Sequence, residues 1–582
     1  MTVEPPVSQR LLRGYAPLVG FAAIFLAIAL IVPSQTQEVS TAAAGGDVVT
    51  APVPGDETTV ADGTVADAGT GAEAGTPGVT AADGSVAGTA GGGGAQVAGA
   101  TKQRAGATSG GARSAAAGGG GGSNTMSFCT DRKKQDPNEP YSPPCYAPFT
   151  GNNGGATSPG VTKDAITISV RIQAFDNGLV DAISKLAGAK IKPESRDTIA
   201  NTVRGLVEYF NRTYNFWGRK LNLVLWEGKG SVEKELLGGG AEGAEADALQ
   251  VQSQIKAFAD ASAITPPYID ALVRRGVMAF GAQYMSKQWL AQRKGLAWSP
   301  LTDCSTVVET VGSYYLTRMA HKPANFAGGA LKGQPRRTMV IAPDNSWYQE
   351  CANAGLKIIQ DGGAGAELLP AEFYRLDLTQ MAQQATSLMQ KIKASGATTI
   401  VCGCDPIMLS MLTAKAKEQQ VQPEWVETGV ALTDQDIVAQ IFDQGIWNKA
   451  FGISFAGPTQ PTQSGMGYRA FKAVRPKETP SIAADLIYSN LLLMAIGIQM
   501  AGPTLNPQTF QAGMFKYPAA YGAFGTWDFG PNDYTASSDA REIWWNSNAR
   551  SIQNGEMGAW VDAEPGKRYP LGKFPPGDPK VG

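Results

Sequence analysis

Histidine is almost missing from this chain, with one residue in 582, His321. That scarcity excludes zinc sites built on paired histidines and makes any nucleophile-histidine dyad depend on one side chain. His321 stands in Met-Ala-His-Lys-Pro at an expected helix end, where it reads as a capping or surface residue. A basic excess is missing too. The 49 Lys and Arg are balanced by 51 Asp and Glu, so the chain lacks the cationic surplus that phosphate neutralisation needs, and general nucleic-acid binding is excluded. Gly-x-Ser-x-Gly, Walker A and His-Glu-x-x-His motifs do not occur. Gly238 to Gly243 matches the dinucleotide glycine spacing, but no strand precedes it and acids surround it, which would repel a pyrophosphate. The residues therefore call for no cofactor, no metal and no catalytic site.

Aromatics are absent between residues 41 and 125, where Gly and Ala supply 45 of 85 residues. Such a composition cannot bury enough surface to offset the entropy of ordering, so 34–125 is expected to be a disordered Gly/Ala/Thr-rich tether. Random-coil scaling gives it a reach of roughly 50 to 60 Å. Only one uncharged run suits a membrane span, YAPLVGFAAIFLAIALIV from Tyr15 to Val32. Arg10 and Arg13 precede it and the next basic residue is Lys102, a bias that keeps 1–14 cytoplasmic and sends the remainder across. Segment 15–33 is thus a transmembrane signal anchor or a signal peptide, and a cleaved signal would leave the protein secreted. No cysteine lies beside the run, which excludes lipid attachment there.

The six cysteines, Cys129, Cys145, Cys304, Cys351, Cys402 and Cys404, fall on the side where disulfides persist. Cys129 and Cys145 bracket a Pro-rich stretch that gains most from a staple, and are expected to pair. Cys402-Gly-Cys404 is too short for a comfortable internal bridge, which makes a bridge from one of them to Cys304 or Cys351 plausible; a Cys-Gly-Cys metal or redox site is the alternative.

From Val161 onward, strand and helix patterns alternate. Ile166, Ile168, Val170 and Ile172 keep a period of two. Ile199, Val203, Leu206, Val207 and Phe210 follow at helical spacing, and further strands read at 221–226, 277–280, 338–342, 398–402, 425–427 and 450–455. Strands separated by helices imply an α/β fold with parallel sheets. Segment 482–500 is apolar, but Asp485, Ser489, Asn490 and Gln499 interrupt it and make it a buried helix. Just after strand ends stand Gln173, Phe175, Gln283, Tyr284, Trp347, Tyr348, Asp405 and Thr428. Ligands of open parallel sheets lie in the crevice outside the strand carboxyl ends, and aromatic faces with a few hydrogen-bonding groups suit a small, partly apolar molecule. These eight are the candidate ligand-binding residues.

Gly205-Leu-Val-Glu-Tyr-Phe-Asn211, then Phe216-Trp-Gly-Arg-Lys220 and the strand ending at Glu227, resemble the opening of type I periplasmic-binding proteins, specifically the branched-chain amino-acid-type substrate-binding proteins of ABC transporters. Residues 336–355, with TMVIAPD and NSWYQ, are similar to the start of that family's second lobe, and 480–502 resembles its late helix with Tyr488 at the tyrosine. The resemblance implies two Rossmann-like lobes joined by a hinge, crossing near 298–303 and 451–461. It places the first part of lobe 1 at 161–300, lobe 2 at 301–450 and the lobe 1 return and final crossing at 451–530; a Cys-stapled cap at 126–160 and a C-terminal extension at 531–582 lie beyond the family core, and the cap and the Pro-rich end from Asp562 to Gly582 are expected to wrap the lobes. It further implies an extracytoplasmic solute-binding protein that closes on a small organic ligand and delivers it to an ABC permease. A membrane-tethered sensing or scaffolding ectodomain is the alternative. The family's carboxylate-holding positions carry Ala282, Gln283 and Tyr284 here, Thr428 stands where an acid binds ammonium, with Glu427 facing the other way, and Asp405 replaces an aromatic. A molecule less charged than an amino acid is expected.

Overall fold

The computed structural model describes Cys129 and residues 133–172, 195–281, 284–481 and 483–582. The expected membrane segment 15–33 and tether 34–125 lie outside the described residues, as do Gln173, Phe175 and Gln283.

Strand β1 (Ala165–Ile172) pairs in parallel with β2 (Lys220–Glu227) over its full length, Ala165 opposite Lys220 and Ile172 opposite Glu227. Between them runs the helix Arg196–Thr213, which begins where the Ser195 side chain accepts the N–H of Thr198 and turns Ile199, Val203, Leu206, Val207 and Phe210 inward. With β3 (Ala259–Asp260), β4 (Met278–Phe280) and β5 (Ala297–Trp298) they form a five-stranded parallel sheet of order β2-β1-β3-β4-β5. The helix Ala484–Ala501 is the one described helix long and apolar enough to span a membrane. Its Tyr488 and Leu491 to Ile496 are instead buried in this first lobe, where Asp485 accepts the N–H of Gly467 at 2.6 Å.

The second lobe is built on β6 (Thr338–Pro343), β7 (Glu372–Tyr374), β8 (Thr399–Cys402), β9 (Glu424–Glu427) and β10 (Phe451–Ser454), all parallel. A short hairpin, β11 (Ala520–Gly522) and β12 (Gly525–Trp527), precedes the chain's return. Then β13 (Asp539–Arg550) adds antiparallel to β10, β14 (Met557–Asp562) pairs with β13, and β15 (Tyr569–Pro570) lies beside it. The sheet order is β14-β13-β10-β9-β8-β6-β7. Two expectations shift. Phe451–Ser454, placed with the first lobe's return, is a strand of the second sheet, and the chain goes back only after it. The extension 531–582, expected beyond the family core, supplies three strands of that sheet, and of the Pro-rich end after Asp562 the segment Tyr569–Pro570 pairs with β13.

The chain crosses between lobes three times, around 299–303, 455–465 and 528–538. The first and third crossings touch through a parallel bridge between Ser299 and Thr535. Asp303, fully buried, accepts the Thr306 N–H at 2.8 Å and the Thr306 hydroxyl at 2.7 Å as the cap of helix Cys304–Tyr314, while Thr535 Oγ1 donates to its other face at 2.8 Å.

The cysteines pair as Cys129–Cys145, Cys304–Cys351 and Cys402–Cys404, with Cα separations of 5.6, 5.9 and 5.0 Å. The first is the expected staple. The others correct the expected exchange between the two groups: the turn leaving β8 brings the Cα atoms of Cys402 and Cys404 within bridging range, and Cys304 meets Cys351 at the starts of two neighbouring helices. Among the described residues no group of His, Cys, Asp and Glu forms a metal site.

The cap seats on the first lobe. Gln135 donates to the Thr213 carbonyl at 2.8 Å, Tyr141 to that of Gly525 at 2.7 Å, and the Tyr141 ring stacks on Trp527 with centroids 4.1 Å apart. Glu139 accepts the Tyr141 N–H at 3.0 Å and the Tyr488 hydroxyl at 2.7 Å. Burial pushes its carboxyl up to about 7, against the pull of those donors. A folded-state value above the unfolded one means that this group's contribution is fully present below the unfolded pKa, about 4.5, and fades as pH rises through about 7. Thermal midpoints of the wild type should therefore fall between pH 5 and 8 more steeply than those of Glu139→Gln, and parallel slopes in the two proteins would refute this role for Glu139.

Candidate functional site

Where the strands of the two sheets end, a cavity of about 230 Å³ opens, lined from both lobes. The first lobe contributes Glu233, Leu236, Leu237 and Tyr284. Leu236 closes the short helix Val232–Leu236 and Leu237 caps it, and that helix is fixed from beneath by a fully buried ion cluster. Arg171, near the end of β1, donates to Glu235 Oε1 and Oε2, both at 2.9 Å, and to Asp247 Oδ2 at 3.1 Å, with its guanidinium 3.7 Å over the Tyr268 ring. Losing one partner of such a cluster strands a buried charge, so the helix position is strongly enforced.

Of the sequence candidates among the described residues, Tyr284, Tyr348, Asp405 and Thr428 line the cavity and Trp347 does not. Successive helix residues point about 100° apart, so at the start of helix Ser346–Ile359 Tyr348 turns to the cavity while the Trp347 ring packs on the core. Asp405 has little left to offer a ligand: its Oδ1 caps helix Pro406–Glu418 through the N–H groups of Ile407 and Met408 at 2.9 and 3.1 Å, and its Oδ2 accepts the Tyr374 hydroxyl at 2.6 Å. Burial raises its pKa, opposed first by Tyr374. Thr428 donates weakly to the Cys402 carbonyl at 3.4 Å. Glu427 does turn away. Its Oε1 accepts the N–H groups of Thr428 and Gly429 at 3.0 and 2.7 Å and the Thr433 hydroxyl at 2.7 Å. Burial, with Asp434 close by, pushes its carboxyl up to about 8.

The lobes meet at Tyr284. Its hydroxyl accepts the Ala431 N–H at 2.9 Å, and its ring stands edge-on to Tyr348 with centroids 6.4 Å apart. Burial pushes the Tyr284 phenol up to about 12. Both sides of the contact are left-handed in backbone, with φ of 61° at Tyr284 and of 50° and 63° at Ala431 and Leu432. Non-glycine residues hold that conformation only where surroundings enforce it, and such strain collects at ligand clamps.

Most of the lining is aliphatic and was not singled out by sequence: Val307, Val311, Val340, Val401, Leu356 and Ile359 belong to it, as do both second-lobe disulfides through Cys304, Cys351 and Cys404. Glu233 and Asp405 are the only charged lining residues among those described, and no Lys, Arg or His joins them. Chemically, this is a chamber lined mostly by carbon, with the phenols of Tyr284 and Tyr348 and the carboxyl groups of Glu233 and Asp405 among its few polar groups.

Comparison with known proteins places this geometry in context. The sequence model described as periplasmic binding protein matches residues 193–549. No curated protein sequence matches the chain. A solute-binding protein of an ABC transporter from R. palustris, solved with 4-hydroxybenzoate, is 13% identical, covers 70% of this chain and 98% of its own, and has a TM-score of 0.48. A leucine-binding protein from Thermotoga maritima is 12% identical over 68% of this chain and 97% of its own, TM-score 0.46. A leucine-, isoleucine-, valine-, threonine- and alanine-binding protein from Brucella ovis in its closed conformation is 13% identical over 72% and 98%, TM-score 0.46.

Tyr284→Phe removes the acceptor of the Ala431 N–H, and an unmet buried donor costs about 1–3 kcal/mol. The closed population, read as the distance between fluorophores on the two lobes, should drop about tenfold, while the unfolding midpoint stays within about 2 °C. An unaltered distance distribution would show that this bond does not hold the lobes together.

Proposed function

The chain belongs to the periplasmic binding protein family, and from that premise we propose that it captures a small organic molecule between its lobes outside the cytoplasmic membrane and delivers it to an ABC importer. As a member of a family of binding proteins it is no enzyme, and its ligand leaves unchanged. The observation that carries the reading is the cavity lined from both sides of the cleft, with Tyr284 of one lobe bonded to Ala431 of the other. A molecule seated there touches both walls only when they are together, so its binding energy favours the closed form by its differential contact with the two states. A permease that reads closure then receives loaded protein in preference to empty.

Ligand contact is assigned to Tyr284, Tyr348 and Thr428, with Asp405 shaping the wall. Anchoring through segment 15–33 would keep the folded part within tether range of the membrane, and the absence of a lipid-bearing cysteine beside that run fits a peptide leash in its place.

Native mass spectrometry of the full-length protein, purified without denaturation, should reveal a co-purified small molecule, and deletion of the gene should abolish uptake of that molecule. Retention of the ligand with unimpaired uptake would point to sensing or scaffolding in place of import. An empty protein that takes up no solute would overturn the reading.

A further inference from the structure

Helix Ser346–Ile359 covers the second sheet, yet it buries only Cys351 and Ile359. Helix Pro406–Glu418, on the opposite face, buries eight residues. A helix laid on a sheet normally hides a whole stripe. Here the stripe is lifted off. Val340, in the middle of β6 with strands on both sides, is only partly buried and lines the cavity. The helix has not drifted free: Cys351 is bonded to Cys304, and Gly312 and Gly355 let it approach helix Cys304–Tyr314 so closely that a Cβ at Gly312 would stand 2.6 Å from Ile358 and one at Gly355 3.2 Å from Val308. Helix Cys304–Tyr314 packs on the sheet through Val307, Val311 and Tyr314, and helix Ser346–Ile359, clasped to it, leaves a gap over β6 and β8.

The gap is long. On one helix its lining runs from Tyr348 through Cys351, Ala352, Gly355 and Leu356 to Ile359, about 16 Å at 1.5 Å per residue. At the inner end Val311, Gly312 and Ile359 are buried and close it. At the mouth stand the phenols of Tyr284 and Tyr348, and no hydrogen bond among the described residues engages Tyr348 Oη. A recess lined this way favours apolar matter, because each apolar group that enters it leaves water.

We infer that the gap between helix Ser346–Ile359 and strands β6 and β8 is a slot for the hydrocarbon chain of a neutral single-chain amphiphile, whose hydroxyl or carbonyl end meets Tyr348 Oη at the mouth. This rests on the reading of the chain as a small-molecule binding protein and names its ligand class. Zwitterions and carboxylates are disfavoured because the described lining holds no cation to offset their desolvation. Chain length, in contrast, is rewarded, because each methylene that enters leaves water.

Calorimetric titration of the full-length protein with 1-butanol, 1-hexanol and 1-octanol tests the slot, with L-leucine and 4-hydroxybenzoate as charged probes. Affinity should rise about fourfold per added methylene, the ratio that corresponds to burying one CH₂. Val340→Phe, filling the slot from the sheet, should cut 1-octanol affinity at least about tenfold without lowering the thermal midpoint, since overpacking destabilises only a filled core. Ala352→Phe approaches from the helix side and should do the same if Val340→Phe misfolds. Affinity that is flat across the alcohols, or 1-octanol held equally by wild type and both filled variants, overturns the slot. Tight binding of L-leucine or 4-hydroxybenzoate with no response to alcohols overturns the slot alone and leaves small-molecule capture standing, whereas a protein that closes on none of the five probes and carries no ligand from the cell loses both.

Discussion

The carboxylate of Asp303 is where the two lobes are mechanically joined. It closes the first crossing, caps the helix that follows and receives the hydroxyl of Thr535 from the third crossing. A buried carboxylate with its lone pairs committed is costly to disturb, since freeing any donor leaves a charge in a medium that solvates it poorly. The first and third crossings are therefore held to each other at this carboxylate. One wall of the cleft is aligned from that junction: helix Cys304–Tyr314 starts there, Cys304 ties it to helix Ser346–Ile359 through Cys351, and Tyr348 lies about one turn before Cys351.

Against this rigid frame, the cleft is made of compromise. Left-handed backbone occurs on both sides of the contact between lobes, at Tyr284 and at Ala431 with its neighbour Leu432. Polar side chains near the strand ends are mostly occupied with their own loops, as Asp405 is with Tyr374 and a helix start, and Glu427 with Thr433 and two backbone donors. What remains accessible is carbon. A site like this selects by fit and dehydration more than by charge, and such selection is modest per atom but additive along a chain.

The periodicity of the strands and of helix Arg196–Thr213 was legible because each buries one or two faces and says so in its spacing. The staple between Cys129 and Cys145 was legible from the stretch it closes. Others were not. β3 and β5 are two residues each, too short to carry a period. The tail strand β13 is buried without a break from Ala540 to Ile543, Arg541 and Glu542 included, so it shows no period of two, and nothing local announces that its partner is β10, close to ninety residues earlier. For the site, polar and aromatic residues after strand ends led to Tyr284, Tyr348, Asp405 and Thr428. They misled at Trp347, because sequence adjacency on a helix does not mean a shared face. The valines and leucines of the slot were invisible as site residues, since an aliphatic stripe that lines a void is written with the same letters as one that lines a core.

Arg318, buried just past helix Cys304–Tyr314, finds its carboxylate in Glu542, 224 residues further along the chain. During synthesis the greater part of the second lobe emerges while that guanidinium still has no acid to meet, and strand β10 still shows an open edge. Strand β13 answers both at once, since it pairs along β10 and carries Glu542 to Arg318.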